Sequence, residues 1–482
     1  MPGSDRPVLD RRVFLRRSLL VTAGVALSGP FVDSLGRRLA AAAPSGSPSP
    51  GPGYGPLVAK PPVSAVGVDP EVAWLSLPEG FEYAIFGVAG TPMSDGSPTP
   101  YGHDGMGAFP ARRGRVRLVR NHEVRDGAGT VPALSTTNAY DELAGGGTTT
   151  LEIAFGSDGV PEVVRDFVSL SGTHTNCAGG VTPWGSWLSC EETTVGAPDF
   201  GASHGYVFEV PAAANGPVDP EPLRLLGRFS HEAACVDPRT GIVYETEDNG
   251  DSGFFRFVPD RPARGGRRPN LEAGSLQMLK VAGSDGYDTR TGQDPIATLD
   301  AEWVDIEEPD PPAGGKAVYE EGLSKGGAIF RRLEGCAFAD GVVYFVSTDG
   351  GDAAQGQVWA YEPRGHSRGQ LSLVFEVPDA TVMSYPDNVV VSPRGGIVVC
   401  EDTPVTLPGQ SSPVQHLRGL TVDGSVFDLA ANLNDSAEWA GTCWSPDRKY
   451  LFANTLGTGF RADDPPPSRT YAIWGPWRGG GL

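Results

Sequence analysis

Several chemical features are scarce in this sequence, and each scarcity excludes a class of protein. Positive charge is outnumbered, with 38 Lys and Arg against 59 Asp and Glu, for a formal net charge of −21. A nucleic acid or an anionic membrane surface is therefore not an expected partner. The chain of 482 residues has only six cysteines, too few for a disulfide scaffold, although some could pair in an exported protein.

Histidine and nucleophile motifs are sparse as well. The seven histidines are scattered, which excludes a dinuclear zinc site of the usual kind. No CxxC or HxxxH pair is present, so structural zinc is not expected. The chain also has no convincing Ser-His-Asp set, which argues against a serine nucleophile.

Long hydrophobic runs are missing too, even near the amino terminus. Arg11 and Arg12 precede a weakly apolar stretch, residues 19–32, which is too short and too rich in Gly and Ser to span a bilayer. A small-residue run at 39–43 suits signal peptidase. We therefore predict a twin-arginine signal peptide over residues 1–43, recognised by the twin-arginine export machinery. The folded protein would be periplasmic or extracellular, without stable membrane insertion.

After the signal peptide, residues 44–66 are rich in Pro, Gly and Ser and are predicted to be a linker. Residues 67–482 show little helical periodicity. Short β-branched and aromatic runs recur there between Gly, Pro, Asp and Asn turns, which indicates all-β structure. We expect this part to be one catalytic domain and the protein to be a monomer.

The β-runs also repeat. Four clear copies open at Cys177, Glu232, Glu334 and Asp387, and two looser copies lie near Asp104 and Glu438. Each copy indicates two antiparallel strands, several with a third strand behind them. Six such units around an axis predict a six-bladed β-propeller, with a pair of β-sandwiches as the alternative.

The register of the repeats predicts a metal site. The innermost strand of a propeller blade lines the central channel, so the residue opening each copy should face that channel. Asp104 and Glu438 are one or two residues out of register. Acids converging on one axis repel each other strongly in a shielded site, and bound cations would hold them together.

A second set of candidate ligands follows at the ends of the next strands. Neighbours on a strand face opposite sides, so only one of two adjacent acids should point inward. Carboxylate and amide oxygens suit calcium, whereas a thiolate among carboxylates suits a transition metal such as iron. The candidates are Asn121, Glu123, Glu191, Glu192, Glu401 and Asp402.

One long motif resembles a known family. Residues 176–180 read NCAGG and residues 183–192 read PWGSWLSCEE, with Ser230-His231-Glu232 and Arg332-x-Glu334 further on. Together with the twin-arginine leader, these motifs resemble the PhoX family of secreted alkaline phosphatases. The resemblance implies a six-bladed propeller whose channel holds a mixed cluster of Fe³⁺ and calcium with a bridging oxo group. It also implies hydrolysis of phosphate monoesters and export in the metallated form.

Carried over to this chain, the resemblance implies that Cys177 is a ligand to iron. It implies further that Glu232, Glu334 and one of Glu191 and Glu192 are metal ligands. The repeat register selects Cys177, Glu232 and Glu334 without using the family.

The resemblance also implies that Arg332 binds the substrate phosphate. The family's usual Arg-Pro-Glu-Trp is here Arg332-Leu333-Glu334-Gly335, and Arg331 is adjacent, so either arginine could face the site. Several metals in one site would polarise the phosphoryl oxygens and lower the pKa of bound water. The predicted nucleophile is a metal-bound oxygen, with a bidentate clamp from Arg332 and no serine intermediate.

Two other functions fit parts of the pattern. A calcium-dependent propeller hydrolase such as a lactonase would use amides around the channel, and Asn121, Asn388 and Asn454 fit that role. A calcium-only site, however, has no use for the thiol of Cys177. The second alternative is a secreted binding propeller in which calcium is only structural.

Overall fold

The computed structural model describes residues 53–263, 267–295, 297–312, 315–457 and 467–482, and this part of the chain is almost entirely β-structure. The all-β prediction is confirmed. One α-helix, α1 (Ala317–Ser324), and three 3₁₀ segments at Arg112–Gly114, Arg224–Leu226 and Trp477–Gly479 are the helical elements described. None of the described helices has the length and apolar character needed to cross a membrane. The predicted signal peptide, residues 1–43, lies outside the described residues.

The strands follow the short apolar runs between turns. In chain order they begin with β1 (Leu57–Lys60), β2 (Ser64–Ala65), β3 (Leu75–Pro78), β4 (Glu82–Phe86), β5 (His103–Pro110), β6 (Val116–His122), β7 (Gly146–Phe155), β8 (Pro161–Thr173) and β9 (Asn176–Val181). They continue with β10 (Ser186–Glu191), β11 (Val207–Pro211), β12 (His231–Val236), β13 (Val243–Glu247), β14 (Phe254–Pro259), β15 (Gly274–Val281), β16 (Thr298–Ile306), β17 (Leu333–Ala339) and β18 (Val342–Ser347). The last are β19 (Gln357–Arg364), β20 (Arg368–Glu376), β21 (Pro386–Val391), β22 (Ile397–Glu401), β23 (His416–Leu420), β24 (Val426–Asn432), β25 (Trp439–Trp444), β26 (Tyr450–Thr455) and β27 (Arg469–Trp474).

These strands form a propeller-like arrangement. Four sheets are blades, with the orders β5-β6-β7-β8, β9-β10-β11, β21-β22-β23-β24-β3-β1 and β25-β26-β27-β4-β2. The fifth sheet has nine strands, β12-β13-β14-β15-β16-β20-β19-β18-β17, and its end strands β12 and β17 contact each other. This sheet is therefore a nearly closed barrel.

The prediction of six separate blades is wrong, because two of the six repeats share the barrel. The cause is β16, whose first residues pair with β20 from Thr298 opposite Ser372 to Ala301 opposite Gly369. This pairing joins the outer edges of two repeats. The inner strands still contact one another in a closed cycle, β5, β9, β12, β17, β21 and β25, around a central channel.

Strands from the beginning and the end of the described residues pair with each other and close the ring. Strand β4 pairs with β27, and β3 pairs with β24, so amino-terminal strands complete two carboxy-terminal blades. The predicted linker, residues 44–66, is therefore too long: residues 57–60 pair with β3, and residues 64–65 pair with β4. The run Leu57-Val58-Ala59 can pair at a sheet edge, where flanking prolines are tolerated.

Candidate metal centre

The same backbone irregularity opens all six inner strands. In each, the ladder slips so that two residues of the inner strand face one residue of its partner, which is a β-bulge. Bulges bend a strand and redirect side chains, and they are frequent beside functional sites. The first residue of the bulge is, around the ring, Asp104, Cys177, Glu232, Glu334, Asp387 and Gly441.

The positions of the bulges show that the register predicted for the two looser repeats is wrong. Asp104 occupies the same bulge position as Cys177 and Glu232, so it is in register rather than displaced. In the sixth strand that position belongs to Gly441, and Glu438 lies before the strand begins.

Five of the six bulge residues, all except Gly441, come together with Glu123 and Glu192 as one group, which we call the channel cluster. Its potential ligand atoms form three sets, each with all atoms within 4.8 Å of one another. Cys177 belongs to two sets, and so does Glu232, so the sets are continuous. They are Asp104, Glu123 and Cys177; Cys177, Glu192 and Glu232; and Glu232, Glu334 and Asp387.

Burial makes the channel cluster unfavourable for negative charge. Desolvation, and then the neighbouring acids Glu123 and Asp387, raise the pKa of Asp104 well above its usual range. Desolvation also raises the pKa of Glu334, and it raises that of Asp387 to about 7. The pKa of the Cys177 thiol is raised well above normal by burial and by Asp104. These groups can be ionised together only if positive charge is supplied.

Glu232 shows most directly that a partner is required. Its side chain is fully buried, and neither carboxylate oxygen has a hydrogen-bond partner. Oε2 of Glu123 is also buried without a hydrogen-bond partner. Buried carboxylates are normally paired or bound to metal, so the residues present fit cations. The two sets that contain Cys177 suit iron, and the all-carboxylate set suits calcium.

Two arginines flank the channel cluster. Arg332 donates from Nε and Nη2 to both oxygens of Asp248 at 3.1 Å, and Nη2 also contacts Glu334 Oε1 at 3.0 Å. Arg331 instead pairs with Asp349, so Arg332 is the arginine that faces the cluster. Arg125, which the sequence analysis did not select, pairs with Glu123 and with Glu192 Oε2, the latter at 2.9 Å.

The backbone of Arg332 has a strained conformation. Its φ is +41°, in the left-handed region that residues other than glycine rarely adopt. Its N–H donates to the Asn249 carbonyl at 2.8 Å, and its own carbonyl accepts from Thr348 N–H at 2.9 Å. The Arg332 side chain remains 35% exposed, so a ligand could reach it. Strain of this kind is characteristic of functional positions.

Three of the predicted ligands lie outside the channel cluster because protein groups already occupy their polar atoms. Glu191 accepts from the backbone of His174, Gly205 and Tyr206 and from the His204 ring. Glu401 pairs with Arg418 and His416 and accepts from Ser384 N–H.

Asn121 is the third. Its amide donates to the carbonyls of Cys177 and Ala178 and accepts from Trp187 and Ser189. It therefore supports the bulge that carries Cys177.

The remaining predicted residues lie at the edge of the channel cluster. Asp402 is close enough to Asp387 to raise its pKa, and it also faces Glu438. The amides expected of a lactonase are used otherwise. Asn388 accepts from Gly441 N–H at 2.7 Å and so ties inner strand β21 to β25. Asn454, on β26, donates to the Asp104 carbonyl at 2.5 Å and so ties its blade to inner strand β5.

Comparison with known proteins agrees with this architecture. The chain is similar to the structure of Pseudomonas fluorescens PhoX in complex with vanadate, a transition state analogue. The TM-score is 0.64 and the identity 16%, over 85% of this chain and 97% of that one. A calcium structure of Trichoderma reesei carbohydrate-active enzymes family AA12 has a TM-score of 0.32 and 10% identity, over 67% of this chain and 93% of that one. A TM-score this low carries no argument.

No curated protein sequence matches the chain. The likeness to the Pseudomonas structure shows the fold alone, since the identity is low. A family model settles the relationship, because the model described as alkaline phosphatase PhoX matches residues 53–459, which is most of the chain. The resemblance found in the sequence motifs is thereby confirmed. The chain therefore belongs to the alkaline phosphatase PhoX family, and it is an enzyme of the alkaline phosphatase class.

Proposed function

We propose that this alkaline phosphatase hydrolyses phosphate monoesters at the channel cluster, with iron and calcium as its metals. The observation that carries the proposal is that Cys177 shares a ligand set with Glu232, a buried carboxylate neither of whose oxygens has a hydrogen-bond partner. When bound, the cations would neutralise the phosphate dianion and activate the attacking water. Iron would be held by the two ligand sets that contain Cys177, which are Asp104, Glu123, Cys177, Glu192 and Glu232. Calcium would be held by Glu232, Glu334 and Asp387.

The protein's own contribution is binding and orientation. The Arg332 side chain is partly exposed, and its guanidinium is fixed by Asp248 and Glu334. To bind two non-bridging phosphate oxygens at once and align the ester for in-line attack, the guanidinium would exchange its contacts with Asp248 or Glu334 for contacts with the phosphate. Arg125 lies against the other end of the channel cluster. Its positive charge there offsets the negative charges of Glu123 and Glu192.

Export by the twin-arginine route belongs to the same proposal. That route carries folded proteins, and the channel cluster brings together residues from five of the six inner strands. Metals held by such strands are best loaded while the chain folds. The mature protein would then act as a monomer in the periplasm or outside the cell.

Substrate comparison before and after metal removal tests the proposal. The purified protein should hydrolyse p-nitrophenyl phosphate, lose that activity with a chelator, and regain it with iron plus calcium but not with zinc. In a parallel assay, the protein should not hydrolyse a lactone. Lactone hydrolysis without phosphatase activity would support a calcium lactonase, and no hydrolysis with iron and calcium bound would support a binding propeller.

A further inference from the structure

Two cysteines face each other on the channel wall, away from the acids. Cys235 lies on β12 and Cys336 on β17, and their sulfurs are 3.1 Å apart. Both are free thiols and nearly buried, at 6% and 8% exposure. We propose that Cys235 and Cys336 form a disulfide that closes the nine-stranded barrel covalently. This proposal rests on the proposed export of the protein but not on its phosphatase activity.

The position of the pair supports a cross-link. Strands β12 and β17 are the two ends of the nine-stranded sheet, and no ladder pairs them among the described residues. Where β9 meets β12 and where β17 meets β21, a glycine allows the backbones to approach closely. A Cβ on Gly180 would lie 2.0 Å from the carbonyl oxygen of Ala234, and a Cβ on Gly335 would lie 2.7 Å from that of Asp387. Where β12 meets β17, the thiols of Cys235 and Cys336 lie opposite each other instead. A small side-chain rotation brings such a pair to bonding distance.

An oxidant can reach the pair through the channel. A cavity of about 200 Å³ is lined by inner-strand residues that follow the acids, including Cys235, Cys336, Val390 and Cys443. This volume admits a small molecule but not a protein. The reagent we infer is a low-molecular-weight disulfide, because exported proteins meet oxidising thiol–disulfide conditions.

The reaction balances as two exchanges. The sulfur of one cysteine attacks the small disulfide, which forms a mixed disulfide and releases one small thiol. The second cysteine attacks the mixed disulfide, which forms the Cys235–Cys336 bond and releases the second small thiol. The two protons of the cysteines end on the two released thiols, and the reagent takes up the two electrons.

The bond would hold the channel cluster at a fixed width. Cys235 lies three residues after Glu232, and Cys336 lies two after Glu334, on strands whose acids share a ligand set with Asp387. The cysteines are 101 residues apart in sequence, so the bond also constrains a long loop of the unfolded chain. Cross-linked protein should therefore be the more stable form and should release calcium more slowly.

Thiol mapping of the wild-type protein tests the bond directly. The exported protein is treated with hydroxyethyl disulfide, denatured in chelator, alkylated without reduction and mapped by mass spectrometry. Of the six cysteines, four should be alkylated, and Cys235 and Cys336 should be recovered in one linked peptide pair. Alkylation of all six after this treatment would overturn the proposal. So would a soft metal ion bound at one equivalent by the two thiols in place of the bond.

Stability measurements on two variants give a second readout. Cys235→Ser should melt several degrees below the oxidised wild type and should not respond further to a phosphine reductant. Cys443→Ser alters another thiol of the same cavity, and its melting temperature should still fall on reduction. An equal response to reductant in wild type and Cys235→Ser would contradict the proposal. The mapping of wild-type protein decides the matter even if a variant fails to fold.

Discussion

At the scale of single residues, Arg332 and Arg331 form a matched pair with different predicted roles. Replacing Arg332 by Lys keeps the positive charge but removes the planar fork that would bind two phosphate oxygens. We expect kcat/KM for p-nitrophenyl phosphate to fall about 10- to 100-fold, which corresponds to a charge-assisted hydrogen bond of about 1.5–3 kcal/mol. Steady-state kinetics at fixed metal content would measure this.

Arg331→Lys is the control, because Arg331 pairs with Asp349 outside the channel cluster. Its kcat/KM should stay near that of wild type. Since Arg332 also contacts Glu334, metal content must be determined in both variants. A wild-type rate in Arg332→Lys, or a loss confined to Arg331→Lys, would reverse the assignment.

Which single residues face the channel was only partly predictable from sequence. Cys177, Glu232, Glu334 and Asp387 could be found because each opens a recognisable repeat. The choice between Glu191 and Glu192 could not be made, because it depends on Glu191 meeting backbone N–H groups of a distant loop. Arg125 gave no signal, because it lies after β6 at no repeat position and its contact with Glu192 forms only through tertiary folding.

At the scale of strands, glycine stands where the backbones of neighbouring inner strands approach each other closely. Gly180 allows β9 to approach β12, and a Cβ there would lie 2.0 Å from the Ala234 carbonyl. Gly180→Ala should therefore push the two strands apart and destabilise the protein by about 1–3 kcal/mol. Less iron should be retained, because Cys177 and Glu232 lie on these two strands. Denaturant unfolding and metal analysis would measure both effects.

Gly216→Ala is the matched control, because nothing lies within 4 Å of a Cβ at Gly216 and its φ is not positive. We expect no loss of stability or metal in that variant. If Gly180→Ala behaved like Gly216→Ala, the close approach of β9 and β12 would not matter for the metal centre.

Strand content and inner-strand order could be predicted from the repeats, but sheet boundaries could not. Alternation and turn residues determine where a strand runs, whereas pairing between distant edges depends on strand length and twist. The contact of β16 with β20 is of this second kind, and it replaces two expected blades by a nearly closed barrel.

At the scale of the whole molecule, the buried acids predict how stability depends on pH in the metal-free protein. The pKa of Asp387 rises from 3.8 to about 7 on folding, mainly through desolvation. A raised carboxyl pKa means that the folded state prefers the protonated form. Its stabilising contribution is full below pH about 4 and is lost as the pH rises toward about 7. Melting temperature in chelator should therefore fall across this interval.

Calcium should remove most of that pH dependence, because it binds the ionised carboxylates and stabilises them. Glu247, outside the channel cluster, has its pKa raised by burial to about 8 and should leave a residual slope that calcium does not change. Asp387→Asn should reduce the slope in chelator. Metal-free stability that increased between pH 4 and 7 would contradict this account of the channel cluster.

The central claim is that the Cys177 thiolate holds iron beside calcium at a phosphatase site. Its most direct test combines elemental analysis, the visible absorption of a thiolate bound to iron, and p-nitrophenyl phosphate hydrolysis for wild type and Cys177→Ala. We predict that wild type contains both iron and calcium, shows the absorption and is active. The variant should lose the absorption, iron and most activity. Active wild type without iron, or full activity in Cys177→Ala, would contradict the claim.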